Sequence, residues 1–130
     1  MIEDGDEVES IGVSVVRDAN AVVVIVSGEV DLLTANELLD ALTAQVEKHR
    51  GRLIVDLDAV RFLSSSGLSA LALADRAARE HSVDLRVVAT SRVTLRPLQI
   101  TRMTEQLAVF GSRADAMADM SETVPSRRIC

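Results

Sequence analysis

The spacing of hydrophobic positions changes several times along the chain, and each change marks an element. Gly12 to Arg17 and Ala21 to Ser27 are rich in β-branched residues and flank Asp18-Ala19-Asn20, which is a hairpin signal. Ala21-Val22-Val23-Val24-Ile25-Val26 is apolar throughout, which predicts a strand buried on both faces. Thr34 then opens a helix. Thr34 and Glu37 have capping-box spacing. Ala35, Leu38, Leu39, Leu42 and Val46 recur every three to four residues and form one apolar face, with Asn36, Asp40, Thr43 and Glu47 on the other. Leu53 to Leu57 is the next strand, Ser64 to Gly67 a turn, and the following helix runs to about His81. Leu85 to Val88 is a further strand. Ser91 caps a helical stretch that Pro97 must start, kink or divide. Leu107 to Phe110 reads as a short final strand and Ala114 to Met120 as a last helix.

This order predicts an α/β fold with a mixed sheet of four to five strands and about four helices. Helical crossovers link parallel neighbours, so only the first strand runs antiparallel. Residues 1–10 are acidic without apolar periodicity and residues 121–130 are polar, so both read as tails around a domain at 11–120.

Composition narrows the picture. The 130 residues suit one domain. They are 48% hydrophobic but only 2% aromatic, so the core must be built from Val, Leu, Ile and Ala. The net charge of −6 disfavours nucleic acid and anionic membrane as partners. The single cysteine, Cys130, cannot form an internal disulfide, which fits a reducing cytoplasm. The apolar run at 21–26 is too short to span a bilayer, and the N-terminus is acidic where a signal peptide is basic. A cytoplasmic location is expected.

The stretch Leu53 to Leu71, LIVDLDAVRFLSSSGLSAL, carries the candidate chemistry. A strand leads through a short loop to three serines and a helix. One hydroxyl is enough to cap that helix. The others lie where free amides and the helix dipole favour an anion such as phosphate. The helix itself is apolar around much of its circumference through Leu68, Ala70 to Ala74, Ala77 and Ala78, more than a one-sided stripe needs. That surplus suggests contact with a partner, although alanine is also simply a good helix former.

Two segments in register resemble the STAS-domain anti-sigma factor antagonists. Val26-Ser27-Gly28-Glu29-Val30-Asp31 with Thr34-Ala35 is similar to that family's "GEVD…TA" signature. Leu53 to Leu57 with Phe62-Leu63-Ser64-Ser65-Ser66-Gly67-Leu68 resembles its central strand and "FLDSSGL" phosphorylation turn. The resemblance covers about residues 11 to 120. It implies a binding module without enzymatic activity, cofactor or metal. Its partners would be an anti-sigma factor that is also an ATP-dependent serine kinase, and a PP2C-type phosphatase that resets the switch. Binding the anti-sigma factor would free a sigma factor. Ser65 falls on the phosphoserine position, Ser66 on the second serine and Ser64 on the family aspartate, so Ser64 and Ser66 stand as alternate acceptors. The expected docking surface combines the Glu29 to Thr34 loop, the Ser64 to Gly67 turn and the exposed side of the following helix, with Glu29, Asp31, Thr34, Ser64, Ser66, Gly67 and Leu68 as its contact residues. A monomer or weak homodimer is expected. Three departures stand out: Ser64 for the aspartate, Pro97 inside a helix, and Arg102 near a helix end where glycine is favoured. The first leaves open a scaffold role without a kinase cycle.

Other readings of these residues weigh less. Asp56 and Asp58 in LIVDLDAV resemble the strand-end acids of phosphotransferases, but that chemistry needs Mg²⁺ and normally a downstream lysine. Lys48 is the only lysine and precedes the motif. The two aspartates then read as solvated strand-end and turn carboxylates. His49 and His81 each follow a helical segment, where an imidazolium is favoured by the dipole. Met103, Met117 and Met120 read as packing.

Overall fold

The computed structural model describes residues 11–18, 20–49 and 51–118. The tails, Cys130 and Met120 lie outside these, as does Ala19 in the hairpin. Five strands, β1 (Gly12–Asp18), β2 (Ala21–Val30), β3 (Gly51–Leu63), β4 (Val83–Val88) and β5 (Ala108–Phe110), form one sheet in chain order. β1 pairs antiparallel with β2 and every other neighbour is parallel. Four helices, α1 (Ala35–Lys48), α2 (Ser65–Glu80), α3 (Arg92–Ile100) and α4 (Arg113–Met117), accompany them.

Strand alternation sorts the side chains into two cores. On one face Val22, Val24 and Val26 of β2, Leu53, Val55 and Leu57 of β3, and Leu85 and Val87 of β4 meet Leu38 and Leu42 of α1 and Leu71 and Ala74 of α2. Leu98 of α3 joins the same cluster. On the other face Val23, Ile54, Val88 and Phe110 meet Ala116 of α4. With both faces covered, the continuous apolar run of β2 is explained. Each fully buried Val or Leu contributes about 1.5–3 kcal/mol, so aliphatic burial dominates, and among the described residues Phe110 is the one aromatic side chain in either core. Among the described residues no helix is long and apolar enough to cross a membrane.

The structure corrects several sequence expectations. β3 runs to Leu63, six residues beyond Leu57, because β2 also extends and the two keep pairing as far as Val30 and Leu63. Two register irregularities, between Ile25 and Ser27 and between Gly28 and Glu29, accommodate the extension. Gly28 there has φ +98°, a conformation that side-chain-bearing residues resist. Ser65 to Gly67 is the first turn of α2 and not a separate turn. Pro97 lies inside a continuous α3, in a short helix half of whose residues face solvent. Arg102 occupies the left-handed region at φ 64°, where glycine is favoured, and its Nε donates to Glu105 at 3.0 Å.

Asp56 is not solvated. It is buried on the α4 side of the sheet and accepts from Arg113 Nη2 at 2.8 Å and from the Asp58 amide at 3.0 Å. Asp58 is exposed and accepts from the Thr90 hydroxyl at 2.8 Å. Both aspartates join elements. Arg86, 1% exposed on β4, donates to the carbonyls of Ala116 and Ala118 at 3.0 and 3.1 Å and lies over the Phe110 ring. Arg52 on β3 reaches the carbonyls of Met117 and Ala118. Two guanidiniums therefore satisfy the orphan carbonyls at the end of α4 and clamp this five-residue helix to the sheet.

Candidate functional site

The two motifs meet at the carboxyl ends of β2 and β3. Pairing sets Glu29 beside Phe62 and Val30 beside Leu63. The Ser64 amide then donates to the Val30 carbonyl at 2.9 Å, which locks the serine turn to the acidic loop.

Asp31 shapes that loop from within. Its Oδ1 accepts from the amides of Leu33 at 2.9 Å and Thr34 at 3.1 Å. This Asx-type turn replaces the expected Thr34–Glu37 capping box. The Thr34 hydroxyl makes no cap bond; it accepts from the Asp31 amide at 2.9 Å and donates to the Glu29 carbonyl at 2.8 Å. Thr34 is consequently buried. Held this way, the turn projects Leu32 and Leu33 into solvent, 77% and 72% exposed.

The three serines take different positions. Ser64 is the N-cap of α2, and its Oγ accepts from the Gly67 amide at 3.3 Å. An aspartate makes the same cap, so the substitution keeps the local structure. Ser65 is the first helical residue and is exposed. Ser66 is half-buried and lines a groove of about 220 Å³ with Leu32, Ala35, Asn36, Leu39, Ser69, Ala70 and Leu73. Among the described residues the Ser65 and Ser66 amides donate no hydrogen bond, and the first turn of α2 holds no acid. These amides and the helix dipole make the turn hospitable to an anion.

The predicted site residues thus divide in two. Glu29 and Ser65 are exposed, and Asp31, Ser64 and Ser66 are half-buried, Ser66 in the groove. Thr34, Gly67 and Leu68 are buried and support the face from below. A Cβ on Gly67 would lie 2.7 Å from side-chain atoms of both Leu63 and Val30, so only glycine lets α2 approach the strand ends this closely. Leu68 packs in the main core, and the exposed large apolar side chains of the β2–α1 loop, the end of β3 and α2 are Leu32, Leu33, Phe62 and Leu73. Sequence reading placed the Glu29 to Thr34 loop on the surface without naming the first two, although they fit neither strand alternation nor the helical face that follows. Among the described residues no cluster of His, Cys, Asp or Glu could hold a metal ion.

Comparison with known proteins agrees with this geometry. The STAS domain family matches residues 12–116. The chain is 35% identical over 109 residues to the anti-sigma-F factor antagonist RsfB of Mycobacterium tuberculosis, covering 84% of this chain and 88% of RsfB. It superposes on an anti-sigma factor antagonist from Mycobacterium paratuberculosis with a TM-score of 0.80 and 32% identity, over 88% of this chain and 97% of that one. Phosphorylated SpoIIAA, a Bacillus cell fate determinant, shares the fold at a TM-score of 0.60 and 12% identity, covering 79% and 95% of the two chains. The chain belongs to the STAS-domain anti-sigma factor antagonists, a family of regulators rather than enzymes.

Proposed function

We propose that this antagonist binds an anti-sigma factor of the ATP-binding serine kinase type through the Glu29–Leu33 loop and the start of α2, and that phosphorylation of Ser65 ends the complex. The observation that carries the reading is the position of Ser65. It is exposed on the first turn of α2, next to Ser66, which shares a groove with Leu32 of the acidic loop. A kinase can reach such a hydroxyl. Ser64 is occupied as the helix cap and Ser66 is half-buried, so Ser65 is the acceptor of the three.

The free amides at the start of α2 tolerate a phosphate, so the fold survives modification. The partner does not. A dianion next to Ser66, at the groove that Leu32 lines, must be desolvated when the partner seats, and this outweighs what the rim supplies. A PP2C-type phosphatase would restore the free serine. Binding in the cytoplasm sequesters the anti-sigma factor and frees its sigma factor.

Incubation with the anti-sigma kinase and ATP, followed by mass spectrometry, tests the modification. One phosphate on Ser65, absent in Ser65→Ala, is expected. A chain that stays unmodified across Ser64 to Ser66 would refute the switch. In binding assays Ser65→Ala retains the complex and Ser65→Glu loses it.

A further inference from the structure

We propose that the docking surface continues past the serine turn along α2 and ends at Arg76, which recognises a carboxylate of the anti-sigma factor. This rests on the antagonist reading and deepens it. Two grooves flank α2. One is the groove beside Ser66. The other, of about 630 Å³, is lined by residues including Ala72, Leu73, Arg76 and Gln106. Leu73 borders both and is 48% exposed, so it forms the ridge that joins them. Ser66, Ser69, Leu73 and Arg76 lie at helical spacing along one stripe. At 1.5 Å per residue, Arg76 stands about 15 Å along the axis from Ser66.

The charges in the second groove single out Arg76. Asp75 accepts from Arg79 Nε at 2.9 Å, and Arg79 Nη2 donates to the Gln106 carbonyl at 3.0 Å. Glu105 is paired with Arg102 at 3.0 Å. Each acid there already has an arginine. Among the described residues Arg76 makes no ion pair or hydrogen bond, with Glu80 one turn on or with any other group. An uncompensated guanidinium one turn beyond the exposed Leu73 offers a fork for a carboxylate. The fitting partner segment is amphipathic, with apolar side chains on Leu32, Leu33 and Leu73 and an Asp or Glu on Arg76. A cation at one end and the switchable serine at the other give the strip a direction, so the partner seats in one orientation.

The test measures binding of purified mycobacterial anti-sigma-F factor to the full chain at low and physiological salt, with circular dichroism melts as the folding control. Arg76→Glu is expected to weaken binding at least about tenfold, chiefly in the association rate, and to flatten its salt dependence. An acid-to-arginine change in the partner restores affinity to Arg76→Glu. Leu73→Ser weakens binding without changing the salt dependence. If Arg76→Glu binds within about twofold of wild type while Ser65→Glu and Leu33→Asp abolish binding, the strip stops at the serine turn and the inference is wrong, with the antagonist reading intact. Failure of the wild type to bind, or wild-type binding by Ser65→Glu and Leu33→Asp, removes both.

Discussion

Single residues at the head of α2 carry separable duties. Ser64 caps, so Ser64→Ala should lower stability by about 1 kcal/mol in urea unfolding, while Ser64→Asp should not. Gly67 gives clearance. Gly67→Ala must displace Leu63 and the stiff Val30, so a loss of about 1–3 kcal/mol is expected by the same measurement. Arg102 works the other way. It holds a left-handed backbone with one exposed ion pair in return, so Arg102→Gly should raise stability by about 0.5–1 kcal/mol.

At the scale of elements, α4 depends on arginines more than on apolar area. It is five residues long and has one buried residue, Ala116. Arg86→Ala strands the carbonyl of Ala116, leaves that of Ala118 to Arg52 alone and opens space beside Phe110. A loss of about 2–4 kcal/mol is expected, with hydrogen exchange rising first in α4. Equal protection of α4 in Arg86→Ala and wild type would show that the clamp is not what holds the helix. The same view settles LIVDLDAV. Asp56, which in sequence resembles a phosphoacceptor, pairs with Arg113 on the α4 side of the sheet as an anchor for the start of α4.

Over the whole molecule the parts that fold and the parts that face outward are separate. Leu33 is 72% exposed and Leu71 is fully buried. Leu33→Asp should therefore leave unfolding free energy within about 0.5 kcal/mol while removing partner binding. Leu71→Ala should cost about 2–5 kcal/mol in unfolding. The separation has a geometric origin. Parallel strands that share one carboxyl end bring the loop after β2 and the turn after β3 together, while the main core, with Val30, Leu63 and Leu68, lies beneath them.

Element order, strand direction and the two motifs were legible in the sequence because they follow from local periodicity, cap residues and spacing. The exposed serine at a helix start was legible for the same reason. What only tertiary structure decided is where polar groups find their partners. Thr34 looked like a cap, yet its hydroxyl turns back to the Glu29 carbonyl and the Asp31 amide, and the Asp31 carboxylate takes the Thr34 amide that a Glu37 side chain would have capped. Asp56 looked free, but its partner Arg113 lies 57 residues away. Leu32, Leu33 and Leu73 became a surface only when α1 and α2 packed side by side. Hydrophobic patterning records whether a residue prefers water, whereas hydrogen bonds and exposed patches depend on which distant segments the fold brings within a few ångströms.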